Sequence, residues 1–433
     1  MDMAGRDNDA SNINVQREMM RVIRKQDGFT LTELLVTMVL FVIAIMAAAN
    51  IFTSILGPIK QQTKIAESNI EGLIGLQMLK ADIEQAGFGL PWNMGSATYL
   101  EAVNSGATDW DDSLFNDSTA NPPRPIVFGD GGVIANPPVN NSDVLVVKAT
   151  SVGTARAAQR WTYITNTGAA NSPAMMWTPD TQNDNIENND NVIVIKPVSG
   201  SRQRELVSSG ATIFTKFTTA QAYATPPTLT AAFLPVTGTY ETHLFYGINP
   251  GTAGNPDPRM PFNRADYYVR RPGAGMPTQC STDAGTGILY KATVNHGDDP
   301  MTAAVEVAGQ LRELPLLDCV REMQVVVGLD MNDDGATGTF YDQTTLISTE
   351  GATAATANAT LASAEFIRNR LKEIRIYILA QEGQRDISYT SPSPITATDP
   401  DIGAVINFDA AAANLLNFHW KVYTIVAKLY NMR

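Results

Sequence analysis

The longest uninterrupted apolar pattern in the chain lies near its start. From Phe29 to Phe52 only Thr30, Thr32, Glu33, Thr37 and Asn50 are polar, and no charge occurs from Leu34 to Ala49. A bilayer core needs ~20 residues of helix, and lipid forces a helix because backbone N–H and C=O groups must pair within the segment. Gly57-Pro58 interrupts the pattern. Pro58 has no N–H to offer the Ser54 carbonyl, which predicts a kink or local melting there. Beyond it, Ala66, Ile70, Leu73, Leu76, Leu79, Ile83 and Ala86 recur at three- and four-residue steps. Such a stripe predicts a helix seated on a sheet, and Gly87 and Gly89 are stop signals.

After residue 88 the pattern changes to short apolar runs. Strands are predicted at Asn141–Thr150, Val192–Lys196, Thr212–Lys216, His243–Tyr246, Asp266–Arg270, Ile288–Val294 and Leu371–Glu382. Further strands are predicted in Val320–Asp342, around an Asp/Asn/Gly turn, and at the end, Trp420–Arg433. The stretches Asn104–Pro138 and Pro250–Asn263 are rich in Gly, Pro, Asn and Thr and read as turns and extended chain. The expected fold class is α+β: a long N-terminal helix, membrane-spanning in its first half, packed on an antiparallel β-rich head with large insertions. Its parts are a leader (1–28), an apolar half-helix (29–57), an amphipathic half-helix (58–87) and a head (88–433). The chain between 151 and 320 exceeds what a minimal head needs and leaves room for a second lobe.

Charge sharpens this. In the leader, Arg6, Arg17, Arg21, Arg24 and Lys25 balance Asp2, Asp7, Asp9, Glu18 and Asp27, so the net charge of −13 resides beyond it. The bases at 17–25 flank the apolar run, predicting a cytoplasmic N-terminus and an external head. An acidic head has no cationic surplus to neutralise phosphates, which argues against direct nucleic-acid binding. Charged residues make up 17% of the chain, below the usual ~25%. The polar balance of Asn, Thr, Ser and Gly suits an extracytoplasmic β protein. Cys280 and Cys319 either pair in an oxidising compartment or stay as two buried thiols.

Glu33 is the anomaly, a carboxylate in the first turn of a membrane helix. A charge at membrane depth is a functional residue by default and calls for a named partner. A soluble core helix, a cleaved secretory signal ending at Ala47–Ala49, and simple solvation of Glu33 at the headgroups are the alternatives.

The stretch "GFTLTELLVTMVLFVIAIMA" resembles the N-terminus of type IV prepilins and the related pseudopilins. The resemblance implies that a membrane-embedded prepilin peptidase cuts after Gly28 and N-methylates Phe29, and that Glu33 serves subunit docking. In a bundle of such helices Glu33 meets the Phe29 ammonium of a neighbour, because a buried charge must be paired. "LKADIEQAGFG" (Leu79–Gly89) resembles a segment of the PilW-type minor pilins, as do the strands at Asn141–Thr150, Val320–Asp342, Leu371–Glu382 and Trp420–Arg433.

Candidate chemistry is sparse. "DMNDDG" places Asp330, Asn332 and Asp334 on alternate residues before Gly335, the opening of a calcium loop. Position twelve would be Tyr341 rather than a carboxylate, Asp342 comes one step late, and an Asx/Gly hairpin turn gives the same pattern. Calcium is the one cofactor suggested. "NDNIENND" (Asn183–Asp190) reads as a solvated loop. His243, His296 and His419 are isolated, and there is neither a GxSxG elbow nor a phosphate-binding lysine loop, so no enzyme is expected.

The function implied is a minor pilin, held in the inner membrane and then carried into a pilus. It would join other minor pilins and the major pilin in a complex that primes assembly or caps the tip. The alternatives are a pseudopilin at the tip of a type II secretion pseudopilus and an uncleaved, signal-anchored adhesive or binding domain.

Overall fold

The structure, a computed structural model, describes residues 30–104, 111–132, 134, 138–178, 184–201, 203–250, 257–280, 285–297 and 308–432. Over 53–71 only the backbone course is described. The chain divides into two compact units, Met1–Thr63 and Lys64–Arg433.

In the first unit, helix α1 (Leu31–Glu84) begins at Leu31. Its segment Leu31–Phe52 is apolar, and none of it is buried. At ~1.5 Å per residue it is long enough to cross a bilayer core. The helix runs without a break through Gly57 and Pro58, so helical backbone continues where the proline predicts a disturbance.

In the second unit, the principal sheet contains β1 (Ile126–Gly129), β2 (Val144–Ala149), β8 (Asn263–Arg270), β9 (Gly287–Val294) and β10 (Leu311–Leu329), in that order. β10 then branches. One side of its C-terminal half carries β13 (Leu371–Glu382) and β16 (His419–Lys428); the other carries β11 (Thr339–Tyr341) and β12 (Leu346–Ser348). Every pairing is antiparallel. Alternate residues go to opposite faces: Leu145 and Val147 of β2 join the core under the helix, while Val144 and Val146 join a separate apolar cluster with Tyr268 and Tyr290.

The helix stripe sits on the first of these cores, through Leu76, Leu79, Ile83 and Ala86. Leu73, expected in the stripe, is instead exposed. The helix seam at that level is made by glycines. A Cβ on Gly75 would lie 2.1 Å from the Leu316 carbonyl oxygen, and one on Gly72 2.6 Å from Leu317 Cδ1. Backbone-to-strand contact this close rotates the stripe away from Leu73. The helix stops as expected, with Gly87 and Gly89 at positive φ.

Two differences from the sequence reading have local causes. Strand β1 lies inside the stretch read as irregular, paired residue by residue with β2. Strand β10 begins well before Val320, but Pro315 breaks its apolar signal, and the register shifts on both sides of Leu317.

Between β2 and β8 the chain forms a second sheet, ordered β3 (Trp161–Thr165), β7 (Thr242–Pro250), β4 (Asp190–Pro197) and β5 (Arg204–Val207), with β6 (Thr215–Phe217) also on β4. It has its own apolar cluster, including Ile164, Val192, Val194, Phe217 and Phe245. The short helix α2 (Thr219–Ala222) follows β6. Helices α3 (Ala354–Ala362) and α4 (Ala364–Arg370) lead into β13. The hairpin of β14 (Ile395–Asp399) and β15 (Gly403–Phe408) adds a further cluster around Ile406, Phe408 and Tyr377.

A buried ionic cluster crosses the principal sheet. Lys148 Nζ lies 2.7 Å from Glu101 and 2.6 Å from Asp117; Arg264 lies 3.0 Å from Glu101 and 2.8 Å from Asp266. Asp117 also pairs with Arg124. Burial pushes the Asp117 carboxyl up, but Lys148 and Arg124 outweigh it and hold it below the usual range.

Candidate functional site

Thr30 and Glu33 close the N-terminus of α1 reciprocally. Glu33 Oε2 accepts from the Thr30 N–H at 3.0 Å and the Thr30 hydroxyl at 2.9 Å, and the Glu33 N–H donates to Thr30 Oγ1 at 3.2 Å. This is a capping box, legible in T-x-x-E before an apolar run and missed in favour of the membrane argument. In the uncut chain, then, the carboxylate is held by its own cap. Cleavage before Phe29 would leave this turn within one residue of the new N-terminus. Gly28 and Phe29 lie outside the described residues.

At the other end of the helix, Asp82 is buried against the principal sheet, where Tyr267 donates its hydroxyl and Lys291 its ammonium. Burial pushes the Asp82 carboxyl up, against the pull of Lys291 and Tyr267.

The Asp330 loop joins β10 to β11. Asp330 is 1% exposed. Its Oδ2 accepts from the Gly335 N–H at 2.9 Å and lies 2.9 Å from Lys372 Nζ. Its Oδ1 is buried with no hydrogen-bond partner among the described residues. Burial pushes this carboxyl up, but Lys372 and the Gly335 N–H outweigh it and hold it low. Asn332 Nδ2 donates to Asp334 Oδ2 at 3.1 Å, and the Asp334 N–H returns to Asn332 Oδ1. The sequence pattern did not include Glu350, which follows β12. Its Oε2 accepts from the Met331 N–H at 2.6 Å and the Thr339 hydroxyl at 3.1 Å. Ligand oxygens of Asp330, Asp334 and Glu350 all lie within 4.8 Å of one another. Tyr341, the nominal twelfth position, is buried in the core with its hydroxyl on Gln343 and Asn358. Glu350 reaches the loop by strand pairing, β11 against β12, which linear spacing does not reveal.

Cys280 and Cys319 form a disulfide, and Cys319 has a positive φ of 56° beside the β10 irregularity. Each histidine has a local partner. His243 Nδ1 meets the Phe233 carbonyl and His296 Nε2 meets Asn263 Oδ1, each at 2.8 Å, while His419 stacks on Tyr389. Burial, with help from Arg259, drives His296 down to about 4.

Residues 23–49 match the family model described as the prokaryotic N-terminal methylation motif. No curated protein matches the chain. Among solved structures, a type IV-like pilin from Thermus thermophilus aligns over 39% of this chain and 80% of its own, at 13% identity and a TM-score of 0.17, too low to carry an argument about fold. The motif match coincides with the exposed apolar segment Leu31–Phe52 and its lone Glu33. The N-terminal segment is of the kind found in type IV pilins and pseudopilins, which implies processing by a prepilin peptidase and a membrane-anchored start.

Proposed function

We propose that the chain is a minor pilin, cut after Gly28, methylated at Phe29 and built into a complex that primes a type IV pilus or caps its tip. The observation that carries this reading is the methylation motif on an apolar helix with no buried face of its own. That helix is followed by a large head unit, Lys64–Arg433. Apolar surface on this scale needs lipid or other helices. The head, with two sheets and an added hairpin, is bulky for a shaft subunit repeated at close spacing, and a terminal position relieves that crowding. The test is to shear filaments from cells carrying a tagged chain and locate the tag. Tip labelling, with loss of filaments on deletion, supports the reading. Co-purification with secretion-channel components and unchanged piliation would assign the chain to a secretion pseudopilus instead.

We propose also that Asp330, Asp334 and Glu350 hold a calcium ion, with Asn332 shaping the loop. Three carboxylates against the Lys372 ammonium leave about two negative charges for a divalent ion, and Asp330 Oδ1 is a buried acceptor with no hydrogen-bond donor among the described residues. A ligand bound only to the folded state raises its melting temperature. Calcium should therefore stabilise the chelated protein, and Glu350→Gln should blunt the effect. Identical melting across a wide calcium range would contradict the proposal.

A further inference from the structure

An open cleft of about 1010 Å³ in the head is lined by Trp92, Arg204, Arg368, Arg370, Lys372 and the Asp330 loop. Its four cations are not equivalent. Arg370 donates to the Met331 carbonyl at 2.6 Å and lies 3.4 Å from Asp333, and Lys372 pairs with Asp330. Arg204 and Arg368 have no carboxylate within ion-pair distance among the described residues. Their guanidinium carbons lie 5.0 and 4.7 Å from the centre of the same indole, Trp92. Trp92 is held there by its backbone, whose N–H donates to the Arg204 carbonyl at 2.7 Å. Arg368 is only 7% exposed, and its Nη1 is buried with no acceptor among the described residues. Burial, reinforced by the Arg204 charge and only partly countered by Glu365, brings the Arg368 guanidinium down to about 10.

A nearly buried guanidinium with no carboxylate at ion-pair distance among the described residues is rare, because burying a charge is costly unless it is paired. The indole face offsets part of that cost. It does not provide the planar oxygen pair that a guanidinium fork fits. The geometry points to an oxyanion site at Arg204 and Arg368 whose ligand is a carboxylate entering the cleft. Asp333 and Asp334 line the same cleft and disfavour a phosphate dianion more than a monoanion. The carboxylate is either a small free acid or an Asp or Glu side chain of a neighbouring subunit. Only the second source rests on the filament reading.

The test uses the full-length chain in detergent, melted in sodium acetate and in sodium chloride at equal ionic strength. At ~0.2 M, acetate should raise the wild-type melting temperature over chloride by about 1–2 °C. Arg368→Met should abolish that difference, and in chloride it should melt no lower than wild type, since it removes an uncompensated charge. If Arg368→Met does not fold, the milder Arg204→Gln must lose the acetate response instead. A wild type indifferent to acetate, with Arg368→Met less stable in chloride, would overturn the proposal and leave Arg368 as a prop for Trp92. A photocrosslinker at the exposed Gln203 in assembled filaments separates the sources. An adduct to an Asp- or Glu-bearing peptide of another pilin identifies a subunit side chain, and no adduct with an intact acetate response identifies a free acid.

Discussion

Helix α1 carries a carboxylate near each end, and the two are used in opposite ways. Asp82 is buried, paired with Lys291 and hydrogen-bonded by Tyr267, on a face whose Leu79, Ile83 and Ala86 are completely covered. Glu33 sits on a segment with no buried face, and the bonds described for it run to Thr30, three residues away. The head fold consumes the Asp82 carboxylate, whereas the Glu33 carboxylate is bonded within its own turn. A helix that spends its apolar residues on a sheet is a piece of a domain; one that leaves them all outward is built for lipid or for other helices.

The largest expected effect separates these two roles. Glu33→Ala should still be cut by the peptidase and should melt like wild type, yet be lost from sheared filaments; normal incorporation would remove the docking role. Asp82→Ala should do the reverse, costing the head about 3–5 kcal/mol because Lys291 is left buried and unpaired. Asp82→Leu with Lys291→Met should recover much of that loss, since burial already pushes the Asp82 carboxyl upward. Denaturant titration checks both, and a harmless Asp82→Ala would break the comparison.

Smaller effects sharpen it. Gly75→Ala should cost about 1–3 kcal/mol by driving a methyl group into the Leu316 carbonyl, while Leu73→Ala, on the exposed side of the same turns, should barely change melting. The smallest effect is in pH. The unfolded chain protonates its histidines near 6.5, whereas folded His296 resists until about 4. Its contribution to stability is therefore complete above pH 6.5 and lost as pH falls toward 4. His296→Gln should flatten that part of a melting-versus-pH curve, and an unchanged slope would contradict the assignment.

Much of this was legible in the sequence. The apolar segment, the helix stop and strands such as Leu371–Glu382 follow from patterns that depend only on near neighbours. Three features were not. Leu73 carries the right spacing for the stripe, but a glycine seam against β10 decides which side is buried. Glu350 joins Asp330 and Asp334 through strand pairing, and Arg368 meets Arg204 through Trp92. Both depend on contacts between residues distant in the chain. The capping box of Thr30 and Glu33 was readable but hidden by a stronger question about the same residue.

The most direct measurement is the intact mass and N-terminal sequence of the chain extracted from membranes, with and without the peptidase. The account predicts a chain beginning at N-methylated Phe29 when the peptidase is present and retaining Met1–Gly28 when it is absent. A chain still carrying Met1–Gly28 in peptidase-positive cells would contradict it and make the protein a membrane-anchored domain with Glu33 serving only as a cap.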